Sequence, residues 1–361
     1  MYIECHTELP TKKREEWDAF LTAAQHQHPR QDPRFTAVAI ADGWQVLHVI
    51  GRVDHTICAV GMFSLRRHPF LRNAFAEAMC LSGPVCDNMH DLVAFLDTAL
   101  HHPSFARIGR VKVTPYWMAE DAKKLHTVLA DHGWAVSKTE TFRQTGWVDI
   151  TLTPEEIMAR FSKSARREVR RAERQGVTLR VLTTESEALE FLDSLNRLRS
   201  SRGLGLIAQA GFITSFRSIY RDGDSGVILA AHHRDKFLAG LLLYRGKFTA
   251  HGRHFTTETD ALRALGNLRI SPILWLEGMK WARAKGCMHI DVEGYQENSQ
   301  TSDAKYNIYK YKSEFGPIGI LRISEHRKSI NCLLDVTGNW KNILKATVRS
   351  GLPKGVGANF K

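Results

Sequence analysis

Apolar positions first recur at helical spacing, over Thr11 to Ala24, and the Asp32-Pro33 pair interrupts the pattern before Phe35 to Ile40. Runs rich in β-branched and aromatic residues follow at Trp44 to Val53, Thr56 to Leu65 and Phe75 to Leu81 and read as three strands. Helical periodicity returns over Met89 to Leu100 and over Trp117 to Asp131, the latter closed by Gly133, with a short strand at Arg110 to Val113 between them. Strands through Val136 and Val148 complete a first block. A second block opens at Thr153-Pro154-Glu155-Glu156. Threonine offers an N-cap oxygen, proline suits the first helical position, and Glu156 stands three residues after the cap, the capping-box spacing. Beyond it come a strand at Val177 to Leu182, helices over Ser186 to Leu198 and Phe212 to Tyr220, and strands at Gly226 to His232, Phe237 to Tyr244 and Lys247 to Phe255. A helix from Ser271 to Lys285, ended by Gly286, and a strand at Met288 to Val292 follow. Each block reads helix, antiparallel strands, helix, strand, an α+β arrangement used twice rather than a parallel βαβ series. The domains are expected at residues 1–148 and 149–335, with a basic tail or helix over 336–361. No low-complexity linker separates them, so the junction near Gln144 to Thr153 is expected to be packed.

Two segments depart from this ordinary patterning. In FSKSARREVRRAERQGV, Lys163, Arg166, Arg167, Arg170, Arg171 and Arg174 recur at steps of three, one, three, one and three, so a helix would carry all of them on one face. Ala165, Val169 and Ala172 then form the buried strip opposite, and Gln175-Gly176 ends the helix. Like charges at i,i+4 weaken a helix, a cost that an anion against the face offsets; a solvated face of a basic protein is the alternative. The second segment, YNIYKYKSEFGP, sets aromatic residues among Lys310 and Lys312.

Composition narrows the class. The 361 residues, 43% hydrophobic and 24% charged, are ordinary globular usage and enough for about two cores. A formal net charge of +12 and a pI near 9.5 favour a polyanionic partner such as RNA, a nucleotide or an anionic membrane surface. Cys5, Cys58, Cys80, Cys86, Cys287 and Cys332 form no CxxC pair, which implies a reducing compartment and no disulfide framework. The N-terminal MYIECHTELPTKKREEW is polar where a secretory signal needs an apolar core, and no apolar run approaches the ~20 residues that span a bilayer. A cytoplasmic protein with at most peripheral contact at the inner membrane face is therefore expected. The 17 histidines fall in no HExxH or other tight ligand set, so no metal site is expected.

The order of signals resembles the Fem family (FemABX) of peptidyltransferases, which add amino acids from aminoacyl-tRNA to peptidoglycan precursors. The resemblance runs through LSGPVCD (Leu81 to Asp87), RVKVTPYW (Arg110 to Trp117), TGWVDITLTPEEIMARFSKSARREVRRAERQGV (Thr145 to Val177) and GCMHIDVEGYQENSQTSDAKYNIYKYKSEFGP (Gly286 to Pro317). The last two carry it: a strand, an acidic helix start and the basic ridge, then a strand ending in Asp-x-x-Gly and an aromatic-lysine pair before Phe-Gly. It implies two tandem GNAT-like (acetyltransferase-like) domains with no coiled-coil arm, since the long charged hairpin of some members has no counterpart here. The family's motif lysine matches Lys312 and the aromatic before it Tyr311, where tyrosine replaces the usual phenylalanine. These two and Asp291 are the catalytic candidates. The resemblance further implies an aminoacyl-tRNA donor, a UDP-linked or lipid-linked peptidoglycan precursor as acceptor, and no cofactor. Arg34 of DPRF and the turn residues Ser82 and Gly83 sit where the family's first domain meets its nucleotide-sugar ligand, and Glu293 and Tyr295 would complete the substrate site.

Read from the residues themselves, the chemistry stays open at several points. Amide formation from an ester needs an amine nucleophile and a stabilised oxyanion, and a cation in a water-poor cleft supplies the second. Lys312 suits that role, or is a surface lysine near Lys305 and Lys310. Asp291 and Glu293 could take the ammonium proton of the acceptor, or be satisfied by backbone donors. Arg34 could grip a diphosphate bidentately, or be a surface arginine at a helix start. Arg263 and Gly266, in RALGNLRISP before the Ser271 helix, half-match the RxxGx of coenzyme A binders but lead into leucine where those have glycine or alanine. An aminoacyl-tRNA 3′ end is therefore the preferred donor, with Arg263, Gly266 and the ridge on its phosphates. Acyl transfer from acetyl-CoA or another acyl-CoA to an amino sugar is the alternative enzyme, and a non-catalytic RNA-binding module is a third reading.

Overall fold

Two mixed seven-stranded sheets organise the computed structural model, which describes residues 1–137, 144–301 and 306–338. The first contains β1 (Tyr2–His6), β2 (Gln45–Val53), β3 (Thr56–Arg67), β4 (Phe75–Cys80), β5 (Ile108–Val113) and β6 (Ala135–Val136), flanked by α1 (Thr11–Ala23), α2 (Phe35–Ala41), α3 (Met89–His101) and α4 (Ala119–Asp131). The second contains β7 (Gln144–Asp149), β8 (Thr178–Val181), β9 (Gly226–His233), β10 (Lys236–Arg245), β11 (Thr249–Thr257), β12 (His289–Asp291) and β13 (Ile318–Leu321). Its helices are α5 (Pro154–Arg160), α6 (Lys163–Arg174), α7 (Glu185–Ser201), α8 (Gln209–Ser215), α9 (Thr259–Ala264), α10 (Ser271–Ala284) and α11 (Tyr306–Ser313). The chain then returns to the first sheet as β14 (His326–Ser329), between β5 and β6, and ends its described course in α12 (Cys332–Gly338). Each sheet has one parallel pair, β4 with β5 and β11 with β12, reached through α3 and α10. The same unit of antiparallel strands, helix and parallel strand is thus built twice. Among the described residues the longest helix, α7, has 17 residues, too few for a coiled-coil arm.

The sheets do not divide the chain at a single cut between 148 and 149. β7 begins at Gln144 and pairs with β12 and β13 in the second sheet, while β14 pairs with β5 in the first. Charge fixes that return: Glu77 on β4 takes Arg66 Nε at 2.9 Å and Arg110 Nε at 3.2 Å, Arg110 also faces Asp335 of α12 at 3.5 Å, and Lys112 faces Glu325 at 3.6 Å. Of the expected 336–361 tail, residues 339–361 lie outside the described residues.

Local chemistry explains the second domain's start. Thr153 and Glu156 form the reciprocal capping box, and Ser162 caps α6 by accepting from the Ala165 amide at 3.0 Å. Ala165, Val169 and Ala172 are fully buried, joining Ile157, Phe161, Trp275 and Phe315 in the core between sheet and helices. β11 and β12 pair only over Thr249↔His289, Ala250↔Ile290 and His251↔Asp291, and β11 runs on to Thr257, so the two strands part beyond Asp291. The register of β10 with β11 steps from His254 to Gly252, leaving Arg253 as the extra residue of a bulge. Gly252 must be small, since a Cβ there would lie 2.5 Å from the Trp275 ring. The domains meet through α2 and α8, where a Cβ on Gly211 would lie 2.0 Å from Asp42 Oδ1, and Phe35 and Val38 pack into the second domain's cluster around Phe212 and Tyr244.

Candidate active site

The parting of β11 and β12 opens onto the domain junction. A polar cavity of about 150 Å3 lies there, bounded by His28, Arg30, Ser82 and Tyr116 from the first domain, by His251, Arg253, Asp291 and Glu293 from the second, and by Arg322 from the returning segment. It adjoins a larger cavity of about 480 Å3 that shares Arg30 and Arg253 and is lined by apolar groups including Trp44, Met62, Met79, Leu206 and Phe212. Arg30, Arg253 and Arg322 take part in no salt bridge among the described residues. Burial, and then the Arg253 charge, lower the Arg30 pKa. At Arg253 burial acts the same way, but the Tyr244 phenol and Glu293 outweigh it and the pKa is raised. Burial first, then His251 and the arginines, hold His28 well below the usual imidazole range, so it is a neutral ring at pH 7. Three guanidiniums and two carboxylates therefore line one small polar space, an arrangement that suits a phosphate-bearing group carrying an ammonium.

Asp291 sits at the last paired position of β12 and is 3% exposed. It accepts from Thr145 Oγ1 at 2.5 Å and from the Glu293 amide at 2.7 Å, and faces His251 Nδ1 at 3.7 Å. Burial raises its pKa, but His251, Thr145 and the Glu293 amide more than reverse this, and the net shift is downward. A carboxylate so committed is a poor proton acceptor. What it supplies is fixed negative charge beside the cavity.

Lys312 is held on α11 immediately behind that wall. Glu293 and Gly294 both have positive φ, +50° and +39°, which turns two successive carbonyls toward the lysine. Lys312 Nζ donates to the Glu293 carbonyl and, at 3.2 Å, to that of Gly294, so among the described residues one of its three N–H groups is uncommitted. Burial lowers its pKa to about 8 against the opposing pull of Glu293 and Asp291. Tyr311 points elsewhere, because neighbouring residues on a helix diverge by about 100°. Its hydroxyl accepts from Trp275 Nε1 at 2.9 Å, its ring packs edge-on against Phe315, and burial pushes its pKa up to about 12. Tyr311 thus anchors α11 to the core and does not reach the cavity.

The remaining expected contacts divide. Ser82, at φ +54°, lines the cavity, and its amide donates to Thr114 Oγ1 at 2.8 Å. Gly83 forms the adjoining turn, where a Cβ would meet the Gln31 side chain at 2.5 Å. Glu293 also lines the cavity. Tyr295 is buried beside Gly146 with its ring 5.4 Å from that of Tyr309, a packing role. Arg34 is not at the cavity: it donates to Asp32 at 2.9 and 2.6 Å and, across the junction, to Ser225 Oγ at 2.7 Å. The cleft position belongs to Arg30, four residues earlier in the short 3-10 turn Pro29–Gln31 that precedes α2.

The ridge forms as the spacing predicts, but its six cations differ. Arg166 donates to the carbonyls of Ala159 and Phe161, and Arg171 to those of Leu265 and Gly266 at 3.0 and 2.8 Å, so both cap helix ends. Lys163, Arg167, Arg170 and Arg174 are exposed. Arg263 pairs with Asp260 at 2.9 Å, and Gly266, at φ +70°, turns the chain after α9. Glu168, also on α6, accepts from the Arg269 amide at 3.0 Å just before α10, and the Arg269 side chain donates to Ser164 at 3.0 Å and to Glu314. The loop that half-matches a coenzyme A site therefore already holds a carboxylate.

A family model described as an acetyltransferase (GNAT) domain matches residues 159–312, from the ridge to Lys312. No curated protein matches the chain. Among solved structures it is similar to FemX, at 16% identity and a TM-score of 0.76 over 92% of this chain and 98% of that one. It is also similar to a tandem GNAT protein from the clavulanic acid biosynthesis pathway (11%, TM-score 0.53, 91% and 99%). A third likeness is to the C-terminal domain of a putative lysylphosphatidylglycerol synthetase from Agrobacterium fabrum (16%, TM-score 0.51, 95% and 98%). The chain is thus two GNAT-like domains in tandem.

Proposed function

We propose that the protein is a Fem-type aminoacyltransferase, carrying an amino acid from aminoacyl-tRNA to the amine of a UDP-linked or lipid-linked peptidoglycan precursor. The observation that carries this reading is the junction cavity, where Arg30, Arg253 and Arg322 face Asp291 and Glu293 with Lys312 behind them. A diphosphate on the acceptor answers the guanidiniums, and its ammonium answers the carboxylates. The acceptor ammonium first gives one proton to solvent water, and the neutral amine attacks the ester carbonyl. The oxyanion that forms is stabilised by the remaining N–H of Lys312; the ester C–O bond then breaks as the nitrogen passes its surplus proton to the departing ribose oxygen, which leaves as the hydroxyl of the tRNA. The larger adjoining cavity has room for the acceptor's remaining groups. The exposed ridge cations supply a face for tRNA phosphates. Coenzyme A gains less support, because Glu168 occupies the Arg269 amide at the loop before α10.

Charge reversal at two exposed ridge positions tests the donor half. Arg167→Glu with Arg170→Glu should weaken tRNA binding and lower the slope of log affinity against log salt by roughly two, since two fewer phosphates are neutralised. Circular dichroism should stay native, because neither residue carries an internal contact comparable to those of Arg166 and Arg171. Unchanged affinity with an unchanged slope would make α6 a merely solvated face.

A further inference from the structure

The first domain carries a second surface that acyl transfer leaves unused. The turn between β3 and β4 exposes Phe70 and Leu71, at 61% and 49%, and α12 exposes Leu333 and Val336, at 72% and 58%. Phe70, Leu71 and Leu333 line one shallow depression together with Arg72 and Arg107. A buried histidine clamps its two sides. His68 Nδ1 accepts from the amides of Phe70 and Leu71, each at 3.2 Å, so its proton is on Nε2, which donates to Thr337 Oγ1 of α12 at 2.9 Å. α12 is itself pressed onto the sheet, where a Cβ on Gly109 would lie 2.7 Å from the Asp335 amide and one on Gly338 2.6 Å from Ala76 Cβ. The apolar side chains are thus presented on a rigid base.

Their surroundings are cationic. Arg67, Arg72 and Arg107 are exposed around the patch and join no salt bridge among the described residues. The sequence after Gly338 also carries Lys341, Lys345, Arg349, Lys354 and Lys361 and no acidic residue, which contributes to the chain's net positive charge. Contiguous exposed apolar groups rimmed by unpaired cations match an anionic bilayer surface, where the former enter the acyl boundary and the latter meet lipid phosphates. No described helix is long and apolar enough to cross a membrane, so the contact is one of surface docking. We infer that the face formed by Phe70, Leu71, Leu333 and Val336 docks the protein on anionic phospholipid membranes.

Co-sedimentation of the full chain with vesicles tests this, using phosphatidylcholine alone and an equimolar mixture with phosphatidylglycerol. Binding is expected to the mixed vesicles, to weaken with added salt, and to be slight on neutral ones. Phe70→Asp with Leu333→Asp should cut partitioning by roughly tenfold or more, and Arg72→Glu with Arg107→Glu should do the same, each with native circular dichroism. Transfer to a water-soluble acceptor should be retained in both, which separates docking from catalysis. Equal binding to both vesicle types, no vesicle binding, or binding insensitive to both pairs of substitutions would overturn the inference. So would sedimentation equilibrium showing a dimer that Phe70→Asp dissociates, which would give the face to a second copy.

Discussion

Lys312→Met is expected to lower turnover by roughly 100-fold or more while leaving tRNA binding nearly unchanged, because loss of one oxyanion donor typically costs about 2.7 to 4 kcal/mol. The substitution keeps the length and much of the apolar stem, so α11, held by Tyr311 and Phe315, should stay in place. Steady-state kinetics beside a tRNA binding assay separates the two effects. The pH dependence gives a second readout with a defined sign. Burial lowers the Lys312 pKa to about 8, and the protonated form is the one that stabilises an oxyanion, so kcat/KM should fall as pH rises through about 8. In Lys312→Arg that alkaline limb should be displaced upward, since a guanidinium keeps its proton. A turnover within a few-fold of wild type in Lys312→Met would remove the lysine from the chemistry.

Arg30→Ala should raise the dissociation constant for a diphosphate-bearing acceptor by roughly 10- to 100-fold, in line with about 1.5 to 3 kcal/mol for a hydrogen bond to a charged group. The neighbouring Arg253 and Arg322 would still attract the anion, so binding should weaken without being abolished. Arg34→Ala provides the contrast. Its loss breaks the links to Asp32 and Ser225 across the junction and should lower thermal stability, with acceptor affinity little changed. Calorimetric titration and thermal denaturation of the two variants read both quantities. If Arg34→Ala weakened acceptor binding more than Arg30→Ala, the assignment of the cavity would be reversed.

What the sequence made legible was local. The Thr153 capping box, the Ala165-Val169-Ala172 strip, and the repeated order of strands and helices follow from short-range spacing, and all appear at the expected places. The exposed remainder of the ridge also follows, but its division does not: Arg166 and Arg171 meet carbonyls supplied by other elements. The return of β14 to the first sheet was invisible because HRKS has no apolar alternation, its placement depending on pairing with β5 and on ion pairs around Glu77. The cavity was hidden for a similar reason. Arg30, Arg253 and Arg322 come from three distant segments with no common spacing. One signal was available at Gly252-Arg253, a glycine and a charge inside an otherwise strand-like run, which marks a bulge. Arg30 and Arg34 each follow a proline in PRQDPRF, so local sequence does not separate them, and only the Asp32 and Ser225 contacts of Arg34 tell them apart.

The central claim is tRNA-dependent transfer, and its most direct measurement is product formation from a peptidoglycan precursor with charged tRNA, repeated after ribonuclease and again with acetyl-CoA as the sole acyl donor. The account predicts product with charged tRNA, its loss on ribonuclease treatment, and none from acetyl-CoA. Product that survives ribonuclease with acetyl-CoA as the only donor would contradict it.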